Sequence, residues 1–399
     1  WAEGAMTVVH LVPAMEQGGV ETVVCDLNRA LVRAGWQSVV VSNGGRLVAQ
    51  VREDGGEHVS LDLKSKNPLT APARAWKLRK TLRALAADGE TPLVCAHSRI
   101  PAWLFVLARQ LDKTSHSIIR PFNHPIISSS HSIIRPFGHS IISSFPFLTY
   151  AHGANSVSRY SAVMTRGDRV ITPSRFLADY LMRNYPDATD LKARVRIIHP
   201  AVDLTRFDPA ALDADIVARL RRDWGIQPGD RVVMAVGRIT PLKGFDHLIR
   251  DLAGRPDVTP DAGWGDALRA PQTKLVLVGG ADRDKTGLLA ELKALAASLG
   301  VADRVVFAGA QTKIPECLAL ADLVVSGNVT KPESFGLSVA EALAMNKPVR
   351  LLRRFGGAAE ILDAVASARQ PTRREAVRAL CDFDIMSRKT LAVYEELVR

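Results

Sequence analysis

Apolar residues fall along the chain in two series of short runs, each followed by a stretch with helical spacing. In the first series Thr7–Val12, Ser38–Val41, Leu93–Ala96, Phe147–Tyr150 and Arg169–Ile171 read as strands. A helical pattern from Val20 to Val32 separates the first two, and another helix is expected to end near Leu111. After Asp203 the pattern restarts with Arg231–Val236, Lys274–Val278, Val305–Ala308, Leu323–Ser326 and Val349–Leu352. Strand-length runs alternating with helical ones predict βαβ units and parallel sheets. Two such series in 399 residues predict an α/β chain of two doubly wound, Rossmann-like domains facing each other across a cleft. The apolar runs are strand-length, short of the ~18–20 residues that a membrane-spanning helix needs.

One segment breaks the pattern. Residues 116–130 and 131–145 are a tandem repeat, identical at 12 of 15 positions, with proline where a strand or helix should continue. The expectation is a surface insertion. His116, His124, His131 and His139 recur because the peptide is duplicated, which explains their spacing better than a metal site does.

A hydrophobic fraction of 47% with 23% charged residues is ordinary for a globular chain. Cys25, Cys95, Cys317 and Cys381 lie far apart with no C-x-x-C pair, which suits buried thiols in a reducing compartment. The net charge of +11 leaves an anionic membrane surface, nucleic acid or an acidic substrate as partners, beside a merely solvated basic surface. Nucleic acid is set aside, because no helix-turn-helix spacing, zinc ligand set or aromatic-basic stacking motif occurs. Ala73–Ala86 reads as a helix carrying Arg74, Lys77, Arg79, Lys80 and Arg83 beside Trp76, Leu78, Leu82 and Leu85. It either lies on anionic lipid or faces a core and solvates its basic side. A start at Trp1 fits a truncation or a removed leader equally. The expected location is the cytoplasm, free or peripheral on the inner membrane, with a mitochondrial alternative in the leader case.

Two constellations carry chemistry. In the first, the strand ending at Val236-Gly237-Arg238 is followed by Lys243-Gly244. Glycine lets backbone amides approach an anion, and two cations five residues apart suit a phosphate. The second is Glu333-Ser334-Phe335-Gly336-Leu337-Ser338-Val339-Ala340-Glu341. A helix starting near Gly336 carries Glu341 in its second turn and leaves Glu333 in the loop before it. Two carboxylates then reach different parts of one ligand, with the amides of Phe335, Gly336 and Leu337 aimed between them. Taken singly, the first is also a solvated loop and the second an acidic helix cap.

Together the two constellations resemble the retaining GT-B glycosyltransferases of family four, whose signatures are a G-R…K-G loop and an E-x7-E motif. The likeness extends to Pro13–Gly19, Ala96-His97-Ser98-Arg99, His152-Gly153, Thr172–Phe176, Val202-Asp203 with Arg206-Phe207, and Gly356-Gly357 with Glu360. It covers about residues 7–115, 146–362 and the final helix. It is most similar to bacterial enzymes that build lipopolysaccharide or related envelope glycans.

The resemblance implies an acceptor-side domain over 1–200, a nucleotide-sugar domain over 201–380, and a last helix, 381–399, packed back on the first domain. It implies that Arg238 and Lys243, with Gly237, hold a donor diphosphate, that Glu341 binds ribose hydroxyls and that Glu333 meets the donor sugar. His152 would face that sugar, and the Gly18-Gly19 turn would border the phosphates and acceptor. It implies transfer with retention to a glycan or lipid-linked acceptor, with the nucleotide sugar as co-substrate, no cofactor and no metal. His97 and Arg99 are open between acceptor contact and structure, as is Ser174 between cleft lining and helix cap.

The chain also departs from the family. Ala201 and Asn346 replace usual glycines, and Arg350, Arg353 and Arg354 crowd a strand that is normally apolar. After Glu360 the usual turn and strand are missing. These departures keep a second reading open: a glycosyltransferase-like accessory subunit of a protein complex, with reduced donor chemistry.

Overall fold

The structure, a computed structural model, describes residues 6–16, 18–86, 91–114, 141–258, 268–280 and 286–398. It divides into two compact units. Unit 1 comprises Trp1–Thr172, Leu181–Arg196 and Ser387–Arg399; unit 2 comprises Pro173–Tyr180 and Ile197–Met386. Residues 173–180 thus group with unit 2 although they lie within the stretch 1–200.

Unit 1 is built on a seven-stranded sheet. Its strands are β1 (Thr7–Leu11), β2 (Gln37–Ser42), β3 (Glu57–Ser60), β4 (Leu93–Ala96), β5 (Phe147–Tyr150), β6 (Arg169–Thr172) and β7 (Val195–Ile197). They run in the order β3-β2-β1-β4-β5-β6-β7, and the pairings from β3 through β6 are parallel. The order reverses between β1 and β4, the topological switch point where such sheets bind ligands. Val9, Leu11, Val94 and Phe147 pack with Leu78, Leu82 and Phe105 in one buried cluster, which fixes the register of the central strands.

Unit 2 repeats the plan with five parallel strands: β8 (Arg231–Val236), β9 (Thr273–Val278), β10 (Val305–Gly309), β11 (Leu323–Ser326) and β12 (Val349–Leu351). Their order, β10-β9-β8-β11-β12, reverses between β8 and β11. Along β8, Val232 and Met234 enter one buried cluster while Val233 and Ala235 enter another on the opposite face. Burial on both faces is why this strand is a continuous apolar run instead of an alternating one.

Three expectations need correction. The end of the tandem repeat is not on the surface: Ile142 and Phe145 are fully buried in the unit 1 core. Residues 115–140, which carry the four repeat histidines, lie outside the described residues. The helix Ala71–Leu85 does not offer five basic side chains to solvent. Arg74 is buried and donates to the carbonyls of Ser65 and Asn67, while Arg79 and Arg83 both pair with Asp112, which is wholly buried. Asp112 also accepts from Ile142 N at 3.0 Å, so the repeat's end, this helix and Arg99–Thr114 meet on one carboxylate.

The third correction concerns the arginines: β12 ends at Leu351, so Arg350 lies in that strand while Arg353 and Arg354 follow it. Other departures from the family have structural places. Asn346 adopts φ 56°, a left-handed conformation that asparagine tolerates, and its Oδ1 accepts from Arg374 N at the start of the helix Arg373–Cys381. That helix follows Gly356–Ser367 directly. Its Val377 and Cys381 enter the unit 2 core, and Arg374 donates to the carbonyls of Leu204, Phe207 and Ala344. The exposed Arg350 lies on the edge strand β12, where a charge discourages further strand pairing.

Candidate functional site

The loops that leave β8 and β11, the two strands flanking the switch point of unit 2, carry both charged constellations. Lys243 Nζ and Glu333 Oε1 form an ion pair with both side chains partly exposed. The loops touch closely because glycine permits it. Gly244 has φ 60°, and a Cβ there would lie 1.9 Å from the carbonyl oxygen of Gly327. Gly336, φ 91°, forms the N-cap of the helix Leu337–Ala344, and a Cβ on it would lie 2.8 Å from Ala358 Cβ. Either position therefore excludes side chains.

Arg238 is exposed, one residue past Gly237 at the end of β8. A Cβ at Gly237 would lie 2.7 Å from Lys243 Cε, so the lysine stem runs directly over this glycine. A small cavity here is lined by Val236, Lys243, Phe245, Ser326, Asn328 and Ser338 among others, contributed by both loops and the helix Leu337–Ala344. Phe335 is itself core, with its ring 5.6 Å from that of His199, so only its backbone is available to a ligand. Glu341 lies in the second turn of the helix. Burial pushes its carboxyl up to about 7, against the opposing pull of Arg206 and Lys243. The structure thus brings Gly237, Arg238, Lys243, Glu333, Phe335, Gly336, Leu337 and Glu341 together in unit 2, and adds Arg206, to which spacing alone gave no role.

Ser174 caps the helix Arg175–Asn184, accepting from Leu177 N at 3.2 Å while donating to the carbonyl of Ser334. Glu360 takes the amides of Arg175 and Phe176, each at 3.0 Å, so its carboxylate sits on the positive end of that helix. Two Asp-x-Asp tripeptides also resolve as caps: Asp213 accepts from the amides of Asp215 and Ile216, and Asp382 from Asp384 N.

Gly18, Gly19 and His152 belong to unit 1. Gly18 is the N-cap of the helix Gly19–Arg33, which follows β1, and His152 follows β5. His97, directly after β4, is buried between His10 and His152, and Arg99 donates to Ser161 Oγ at 3.1 Å over the ring of Tyr160. His10 escaped the reading of the sequence. The signal was a lone histidine inside the strand TVVHL, which must find a polar partner once buried.

The chain matches the family Glycosyltransferase Family 4 over residues 17–206 and Glycosyl transferases group 1 over residues 217–367. It is 33% identical over 189 residues to a D-inositol 3-phosphate glycosyltransferase of Mycobacteroides abscessus, 47% of this chain but 37% of that relative. The chain therefore matches well under half the length of that relative. Among solved structures it resembles a glycosyltransferase from Rickettsia africae, with TM-score 0.76, 21% identity and full coverage of both chains. It also resembles Anabaena HepE in complex with UDP and glucose, with TM-score 0.69, 18% identity and coverage of 98% and 100%. These two likenesses are of fold. The first match spans most of unit 1 and the second spans the charged, glycine-braced loops of unit 2, and the chain is a member of the family four glycosyltransferases with the GT-B fold.

Proposed function

We propose that the protein is a glycosyltransferase that takes a sugar from a nucleoside-diphosphate sugar, with the diphosphate held in unit 2. The observation that carries this reading is the Lys243–Glu333 pair at the switch point, which joins the two motifs that family resemblance assigns to one donor. Arg238 and Lys243 take the phosphates, with amides at Gly336 and Leu337 on the helix side. Charge grows on the leaving diphosphate as the glycosidic bond breaks, and fixed cations stabilise it there. Glu341 accepts from the ribose, Glu333 from the sugar, His152 serves the sugar, and the Gly18-Gly19 turn serves the phosphates and acceptor. No metal or cofactor enters this reading, and retention follows the family. The acceptor is a glycan or lipid-linked hydroxyl.

An anionic membrane is the second partner proposed. Leu69 is 88% exposed and Trp76 53% exposed, with Lys64, Lys66, Lys77 and Lys80 exposed beside them in sequence. Apolar side chains among lysines suit the interface of an anionic bilayer. No described helix is long and apolar enough to cross a membrane.

Calorimetry with UDP, GDP and ADP tests the donor site. The unaltered chain should bind one of them, and Lys243→Ala and Arg238→Ala should each weaken it about 10- to 100-fold, the equivalent of losing a charge-assisted hydrogen bond. Unchanged affinity in both variants would remove the site. Tight binding without turnover over a broad donor and acceptor panel would instead favour an accessory subunit.

A further inference from the structure

Three imidazoles form a chain through unit 1. His10 Nδ1 lies 3.0 Å from His97 Nε2, and His97 Nδ1 lies 2.9 Å from His152 Nε2. His10 and His97 are buried inside β1 and after β4, whereas His152 is partly exposed. The ring of Tyr150 stacks on His152 at 4.3 Å with an interplanar angle of 2°, and on His97 at 5.7 Å. Burial drives His10 and His152 down to about 3 and His97 well below the usual histidine range, so all three are neutral at physiological pH.

A neutral imidazole has one N–H and one bare nitrogen. Each of the two contacts holds a single hydrogen, so the rings must agree: all three are protonated at Nδ1, or all three at Nε2. The inner end decides between these states. His10 Nε2 is buried and has no hydrogen-bond partner. In the Nε2 state it would be an orphaned buried N–H, and in the Nδ1 state an orphaned lone pair. Orphaned buried donors are the rarer and less tolerated of the two.

We propose that His10, acting through His97, fixes His152 as the Nδ1–H tautomer, so that the exposed end of the chain is a hydrogen-bond donor. His97 and His10 are then positioning residues. The outward N–H selects an oxygen acceptor, such as a hydroxyl or ring oxygen of a sugar, and rejects a donating group. The choice of a sugar as the ligand rests on the reading of His152 given above; the tautomer does not. Cys95 Sγ stands 3.5 Å from His97 Nε2. With His10 and His97 it makes a group able to hold a metal ion, which would replace the shared hydrogen and abolish the relay.

Long-range proton–nitrogen NMR on the full chain with nitrogen-15-labelled histidine reads the tautomer directly, before any ligand is added. The expected spectrum shows His152 protonated at Nδ1 and bare at Nε2. In His97→Phe, with His97→Gln as the milder variant, His152 should turn toward the Nε2–H form that an isolated histidine prefers. Three results would overturn the proposal: Nε2–H at His152 in the unaltered chain, an unchanged tautomer in both variants, or stoichiometric zinc in the purified protein. Addition of the nucleotide sugar separates the two readings. With the expected tautomer in hand, His152 signals that ignore a bound donor would remove His152 from the sugar and leave the relay standing.

Discussion

The two switch points share a topology and differ in electrostatics. Between β1 and β4 of unit 1 the polar groups are neutral, buried imidazoles, with His10 and His97 shielded from solvent. Between β8 and β11 of unit 2 they include the partly open charges of Lys243, Glu333 and Arg238, with Glu341, whose carboxyl burial raises to about 7, beside them. A doubly wound sheet supplies a crevice at the same place in each unit. What occupies it is decided by loop residues, and the loops of unit 2 bring two cations, Arg238 and Lys243, beside glycine-freed amides, as a diphosphate needs. The buried carboxylate of Asp112 in unit 1 is spent on structure, held by two arginines.

The sharpest break of this comparison is Asp112→Asn. It leaves Arg79 and Arg83 facing an amide in a fully buried position, and removing one partner of a buried ion pair typically costs about 3–5 kcal/mol. Urea unfolding should show that loss, while nucleotide affinity in the folded fraction stays the same. Lys243→Ala should do the reverse, since its pair is partly exposed. If both variants damaged stability and affinity alike, the division between structural and ligand-facing charge would collapse.

A smaller effect comes from Glu341. Its folded carboxyl is raised to about 7 from an ordinary value of 4.5, so the native state holds this proton more tightly than the unfolded chain. The stability it contributes is full below about 4.5 and is lost as pH rises through about 7. Ribose hydroxyls donate to a carboxylate, so the nucleotide prefers the ionised form and should release a proton on binding. Affinity should therefore climb between pH 6 and 8, by at most about tenfold per pH unit for a single proton. Glu341→Gln should flatten that slope in calorimetry. A slope that survives the substitution belongs to another group.

Legibility followed the same line between exposed and buried. The central strands read directly, because burial on both faces leaves continuous apolar runs such as Leu323–Ser326. The outer strands β3 and β7 did not: Glu57–Ser60 and Val195–Ile197 are short, half-buried and polar in part. At the site, Lys243 and Glu333 were legible because each belongs to a glycine-containing motif with fixed spacing. Glu360 was quoted as part of the resemblance, yet its capping of Arg175 and Phe176 joins residues 184–185 apart in sequence, beyond any local pattern. The basic helix misled because Arg74, Arg79 and Arg83 look solvated until Asp112 and the carbonyls of Ser65 and Asn67 are placed beside them.

The smallest expected effect tests where the structural half of unit 1 ends. Ile142 N already bonds Asp112, so the stretch that follows Thr114 rejoins the core beside the helix it left. Closing that gap with a short linker in place of residues 116–140 should change stability little, since loop closure costs only about 0.6 kcal/mol per doubling of length. The midpoint of thermal unfolding should stay within a few degrees. Extending the deletion to residue 145 removes Ile142 and Phe145, and truncating a buried phenylalanine alone typically costs about 3–5 kcal/mol. The two deletions differ by five residues and should differ widely in stability, measured side by side in the same buffer. If the shorter one unfolds the protein as the longer one does, residues 116–140 carry part of the unit 1 core.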